Sequence, residues 1–259
     1  MQIEALIIDI DGVVAIGGDP IPGAAEAIGW LEETGVPYRF LSNSTQRSRE
    51  GIAERLNRNG LSIHPELIST PIVAAVRLLK EKGISSARML VTEAAKEAFH
   101  TAGITDGDGA VIIGDAGEAF TFQALNGAFR LITDGAPLIA LERDRYWMAE
   151  DGLTLSAGPF VAALEYAAGR EADVLGKPSP DAFLSACSIM GVAPAATAMI
   201  GDDIRSDVGG AQAAGLTGVL VQTGKYSAAV VEESGIVPDL ILGSIADIRE
   251  IFHQGLFRR

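Results

Sequence analysis

Residues 5–15 read ALIIDIDGVVA: four apolar residues, aspartates at positions 9 and 11, a glycine and a second apolar run. The unbroken run at 5–8 has the character of a strand buried on both faces, which is the signature of a parallel sheet covered by helices. In such sheets ligands bind beyond the carboxyl ends of the strands. Asp9 and Asp11 occupy that end here, two carboxylates aimed at nearly one place. Carboxylates crowded together repel unless a cation lies among them, so this stretch raises the question of what positive charge it meets.

Working outward, similar short runs recur at residues 38–41, 172–175, 198–200, 218–221 and 240–242, separated by longer helical patterns. Helices are predicted over 22–33, stopping before Gly35, from Thr70-Pro71 to near Gly83, and from Ser179-Pro180 to near Gly191. In each a proline stands near the start and a glycine at the end. The alternation predicts an α/β fold with a doubly wound, Rossmann-like parallel-sheet core. Between the second and third runs lie further elements: strands near 89–91, 111–113 and 138–141, helices near 118–133 and 160–168, and a hairpin of 145–148 with 153–155. Its turn, across Glu150, Asp151 and Gly152, reads as longer than the tightest two-residue type. The expected organisation is a core over 1–77 and 172–259, interrupted by a smaller α/β domain over 78–171.

The 259 residues are 48% hydrophobic, enough for a sizeable core. Twenty Lys and Arg against 34 Asp and Glu give a formal net charge of −14, which disfavours a general nucleic-acid binder. Any anion must be held by local chemistry. The single cysteine, Cys187, lies in AFLSACSIMG and is expected as a small core residue; a disulfide within the chain is impossible, which fits a reducing cytoplasm. No apolar stretch approaches the roughly 20 residues that span a bilayer, and the N-terminus starts on a strand without a basic leader. A soluble, cytoplasmic protein without membrane partners is expected.

The ends of four runs carry the chemistry: Asp9, Asp11 and Gly12; Ser42, Asn43, Ser44 and Thr45; Gly176, Lys177 and Pro178; and Gly201, Asp202, Asp203 and Asp207. An all-oxygen donor set without histidine or thiolate favours Mg²⁺. Asp9 and Asp202 are the expected ligands, with the Asp11 main-chain carbonyl turned toward the metal at Gly12 and its carboxyl left free for proton transfer. Lys177, Ser42 and the main chain at Asn43 suit the oxygens of a phosphoryl group. Asp9 then serves as nucleophile, forming an aspartyl-phosphate, and Asp11 as acid and later base.

DIDGVV from Asp9, LSNST from Leu41, GKPSP from Gly176 and MIGDDIRSD from Met199 resemble, in order, the four motifs of the haloacid dehalogenase-like phosphatase superfamily. The insertion resembles that of its NagD-like subfamily, whose α/β cap closes over the site. The resemblance implies the same roles for Asp9, Asp11, Ser42, Asn43, Lys177 and Asp202. It implies that Asp203 and Asp207 are structural, holding Lys177 or a metal-bound water, and that two copies pair through the cap. The second motif departs mildly, reading SNST where many relatives read TNN, which keeps hydroxyl and amide.

Plainer readings fit these residues less well. An EF-hand loop from Asp9 needs glycine and a carboxylate where Val14 and Pro20 stand, and no GxxxxGK[ST] occurs. Asp115, in VIIGDAGEA, imitates the fourth motif but has no aspartate five positions on, so a capping or loop role is expected. His64, His100 and His253 lie beside no motif, and Trp30 has core spacing. Trp147 either packs or lines the substrate entrance, and Glu142, Arg143 and Arg145 are candidates for leaving-group contacts. The expected activity is Mg²⁺-dependent hydrolysis of a small phosphorylated metabolite. The alternatives are a phosphotransferase or mutase with the same intermediate, or a non-catalytic phosphate-binding regulatory protein. Sugar phosphates, nucleotides, pyrophosphate and phosphoamino acids all satisfy the motifs.

Overall fold

The structure, a computed structural model, describes residues 3–149, 152–249 and 251, with side chains at all of these except 147–149 and 153. The chain divides into two compact units, one of Met1–Ser42, Arg49–Ser69 and Lys177–Arg259, the other of Asn43–Ser48 and Thr70–Gly176.

The first unit is built on a six-stranded parallel sheet. Its order is Leu240–Leu242, Thr217–Val221, Thr197–Gly201, Ala5–Ile8, Tyr38–Leu41 and Ile68–Ser69. Alternate residues explain the unbroken apolar runs. Leu6, Ile8, Phe40, Ile200 and Val219 pack on one face with Ile28 and Leu31 of the helix Ala24–Thr34 and with Ile52 and Leu56 of the helix Arg49–Arg58. Ile7, Leu41 and Met199 pack on the other with Phe183 and Cys187 of the helix Pro180–Met190. Each such fully buried large side chain contributes about 1.5–3 kcal/mol relative to exposure. The fold is therefore the doubly wound α/β architecture. From Ala5–Ile8 the chain winds outward to Tyr38–Leu41 on one side and to Thr197–Gly201 on the other. The crevice at this reversal of strand order is where open α/β sheets bind ligands.

Two details differ from the reading of the runs. The strand expected at 172–175 is only Asp173–Val174, and it pairs with Leu138–Ala140 in the second unit rather than joining the six-stranded sheet. The first unit's sheet instead ends on Ile68–Ser69, paired with Phe40 and Leu41. Two residues are too short to show a period, so this edge was invisible in the sequence.

The second unit carries a four-stranded parallel sheet in the order Asp173–Val174, Leu138–Ala140, Thr105–Ile113 and Ser86–Leu90. Ile112 and Ile139 face the helices Pro71–Glu81 and Glu93–Thr101, and Val111, Ile113 and Leu138 face Phe122–Thr133 and Gly158–Ala168. The Thr70 hydroxyl accepts from Val73 N at 3.3 Å, capping the first of these helices one residue before its proline. In the hairpin Tyr146–Ala149 with Gly152–Leu155, Gly152 pairs with Ala149, so two residues join the strands and not more. Those two, Glu150 and Asp151, lie outside the described residues.

Candidate active site

Asp9 continues the first strand: its N–H donates to Ile200 O at 2.9 Å, and its carboxylate is buried at the sheet's carboxyl edge. The chain then folds back, Val13, Val14 and Ala15 N–H all donating to Ile10 O. Asp11 projects from this turn, 57% exposed at the side chain, with Oδ1 3.4 Å from Arg55 Nη2. Gly12 sits at φ +91°, a left-handed conformation that favours glycine.

Lys177 enters this buried edge from the start of the returning chain. Its Nζ donates to Asp9 Oδ1 at 2.7 Å and lies 2.7 Å from Asp207 Oδ1. Asp207 stands on a wide turn, Ile204–Gly209, just after the strand Thr197–Gly201. Gly201 permits its approach, because a Cβ there would fall 2.2 Å from Asp207 Cβ. Asp203 closes the same turn: its Oδ1 accepts from Arg205 N at 2.9 Å and Ser206 N at 3.0 Å, while its own N–H donates to Asp207 Oδ2 at 3.1 Å. Asp207 is thus engaged through both oxygens. Asp202 is buried and accepts from Lys225 N through Oδ2 at 2.7 Å.

Oxygens of Asp9, Asp202 and Asp207 lie within 4.8 Å of one another. Burial, aided by Asp207 and Asp202 and opposed by Lys177, pushes the Asp9 carboxyl up to about 8. Burial likewise pushes Asp202 to about 6, against the Lys225 N–H bond. Burial works against the Lys177 charge, yet Asp207 and Asp9 outweigh it and raise its pKa. Asp203 is half-buried, which works to raise its carboxyl, but N–H bonds from Ser206 and Arg205 and the charge of Lys225 hold it below the usual carboxylate range. One ammonium among three buried carboxylates leaves negative charge uncompensated, and every donor is a hard oxygen. The cluster fits a divalent cation such as Mg²⁺.

The structure therefore brings together Asp9, Gly12, Lys177, Asp202, Asp203 and Asp207, with Asp11 on the adjoining turn. Ser42 is buried at the end of the neighbouring strand, its N–H on Ser69 O at 3.0 Å. Asn43 belongs to the second unit, where its Oδ1 lies 3.1 Å from the position of a Cβ at Gly176. Asp115 has the loop role expected of it: Oδ1 accepts from Gly117 N at 3.1 Å and Oδ2 from Gln46 Nε2 at 2.7 Å. Glu142, considered for substrate contact, is buried and accepts from Ser156 Oγ, Ala157 N and Asp144 N, so it fastens its own loop. Arg143 is paired with Glu165 at 2.6 Å. The Trp147 side chain and His253 lie outside the described residues.

One part of the cluster was missed. The strand Thr217–Val221 also ends in polar residues, and Thr223, Gly224 and Lys225 reach Gly12 and Asp202. The rule that ligand groups follow strand ends, applied to this fifth run, would have found them.

A buried ammonium among carboxylates at the switch point of a parallel sheet defines the class: an α/β enzyme centre built on an aspartate-lysine cluster. Residues 6–105 match the family described as haloacid dehalogenase-like hydrolase, and residues 174–248 a second described as HAD-hydrolase-like. Haloacid dehalogenase-like hydrolase domain-containing protein 2 of Bos taurus is 46% identical over 228 residues, 88% of this chain and 87% of that protein. Among solved structures, a p-nitrophenyl phosphatase from Archaeoglobus fulgidus is 32% identical with a TM-score of 0.89, covering 96% of this chain and 99% of that one. NagD from E. coli K-12 is 26% identical with a TM-score of 0.85, covering 95% and 98%. The chain belongs to the haloacid dehalogenase-like hydrolases, among their NagD-like phosphatases.

Proposed function

We propose that the protein hydrolyses a small phosphorylated metabolite in a Mg²⁺-dependent reaction through an aspartyl-phosphate at Asp9. The observation that carries this reading is the Lys177 ammonium held at 2.7 Å from both Asp9 and Asp207, beside Asp202, at the carboxyl edge of the central strands. Asp9, Asp202 and the Asp11 main-chain carbonyl would hold Mg²⁺. Asp207 would not, since both its oxygens are engaged by Lys177 and Asp203 N. Bound there, the cation supplies positive charge that lowers the repulsion between an anionic nucleophile and an anionic ester.

Asp9 attacks phosphorus as the bond to the leaving oxygen breaks, and Asp11 gives that oxygen its proton. Asp11 then takes a proton from the water that attacks the aspartyl-phosphate, releasing inorganic phosphate and restoring Asp9. Lys177, Ser42 and the main chain at Asn43 bind the phosphoryl oxygens, and Gly12 makes room beside them for the Asp202 carboxylate. Asp203 shapes the turn that presents Asp207, and Asp207 holds Lys177. The second unit acts as the cap that selects the leaving group. The charge of −14 supports a small substrate over nucleic acid. The buried lone cysteine agrees with a cytoplasmic location, and among the described residues no helix is long and apolar enough to cross a membrane. A homodimer paired through the cap is part of the same reading, checked by light scattering on the purified protein.

The deciding assay is p-nitrophenyl phosphate turnover with Mg²⁺, repeated with a chelator and with Asp9→Asn. Hydrolysis lost in both controls is expected. No turnover over a broad panel of phosphate esters would favour a binding protein, and phosphate passed to an added acceptor instead of water would make it a transferase.

A further inference from the structure

Within the first unit, the loop after the strand Thr217–Val221 touches two separate parts of the carboxylate cluster. The Lys225 main-chain N–H donates to Asp202 Oδ2 at 2.7 Å, and Thr223 Oγ1 donates to Gly12 O at 2.5 Å. Between them Gly224, at φ +59°, comes so near that a Cβ on it would lie 2.0 Å from Asp202 Oδ2 and 2.5 Å from Gly12 Cα. The relation is reciprocal, since a Cβ on Gly12 would lie 1.9 Å from Asp202 Oδ2 and 3.2 Å from Gly224 Cα. The Asp202 carboxylate is therefore seated in a slot between two glycine backbones from different loops. Neither a side chain at Gly224 nor one at Gly12 fits while Asp202 stays in place.

We infer that Thr223, Gly224 and Lys225 form a positioning clamp for the metal ligand Asp202. The clamp occupies Oδ2 with a main-chain donor and leaves the other oxygen for the cation. Through Thr223 it ties that carboxylate to Gly12, the residue after Asp11, so the two loops that would bring ligands together are joined before any cation arrives. A carboxylate already oriented loses little freedom on binding, and removal of such outer hydrogen-bonding partners weakens metal affinity by about 10–100-fold. The inference rests on the reading of Asp202 as a Mg²⁺ ligand given above.

The test is calorimetric titration of Mg²⁺ into substrate-free protein, with thermal melts of each variant in chelator to register folding. Asp202→Asn is the control for the underlying reading, and Gly224→Ala, Thr223→Val and Thr223→Ser probe the clamp. Expected are loss of Mg²⁺ binding in Asp202→Asn and weakening by about 10–100-fold in Gly224→Ala. Thr223→Val should weaken binding by about tenfold, and Thr223→Ser, which keeps the hydroxyl, should recover most of it. If Asp202→Asn abolishes binding while Gly224→Ala and Thr223→Val bind as the parent does, the clamp is overturned and the metal reading stands. If Asp202→Asn itself binds normally, the metal reading fails and the clamp with it. Should Gly224→Ala not fold, the valine and serine variants at Thr223 decide alone. Equal affinities in those two would overturn the inference.

Discussion

Asp9 and Asp202 are carboxyls whose folded values, about 8 and about 6, stand above the ordinary 3.8. Such a group stabilises the fold while protonated. Its contribution is complete below the unfolded value and is lost as pH rises through the folded one. Chelator-treated protein should therefore lose this stabilisation between about pH 4 and about pH 8, the Asp202 share going first. A divalent cation binds the ionised forms, so the rise in Tm on adding Mg²⁺ should grow across the upper part of that window. A Mg²⁺-induced rise that stays constant with pH would show that these carboxyls do not hold it. Asp11 makes a second test at this scale: Asp11→Asn should retain Mg²⁺ affinity by calorimetry and lose turnover, and normal rates would remove its carboxyl from the mechanism. The reactive residues were legible because each follows an apolar run. The ion pairing of Lys177 with Asp207 was not derivable from the residues alone, since it depends on Gly201 lacking a Cβ and on a turn closed by Asp203.

Among the elements, helices that open on a proline were legible, whereas the helices Arg49–Arg58, Glu93–Thr101 and Ala228–Ser234, which have no such start, were not expected. Thr70 followed by Pro71, and Ser179 followed by Pro180, mark starts that local chemistry enforces, and Gly35 and Gly191 end their helices in the left-handed conformation. Thr70→Ala should lower stability by about 1 kcal/mol in urea unfolding through loss of its bond to Val73 N. Strand pairing is a non-local property. Ile68–Ser69 is a strand only because Phe40 and Leu41 offer it an edge, and Asp173–Val174 follows Leu138–Ala140 into the second sheet. Gly201→Ala should be more severe than the cap variant, costing about 1–3 kcal/mol by overpacking against Asp207. An unchanged urea midpoint would mean that the turn Ile204–Gly209 yields to the added methyl.

For the whole molecule, a charge of −14 sets a field that repels a dianionic ester before any local contact forms. At fixed free Mg²⁺, kcat/KM for such an ester should rise as added salt screens that repulsion; a fall would show that the buried cluster governs approach. The two-unit composition has a further effect. Ala5–Ile8 leaves its neighbour Thr197–Gly201 nearly two hundred positions away, whereas the sheet and helices of the second unit come from one almost continuous stretch, Thr70–Gly176. On the ribosome that stretch emerges with every strand of its sheet available, while the opening strand must wait, one flank unpaired, until the chain is most of the way through synthesis. A nascent protein arrested far enough beyond residue 176 for that residue to have left the ribosome, but before Thr197–Gly201 emerges, would thus resist protease in its middle and be cut readily at its beginning.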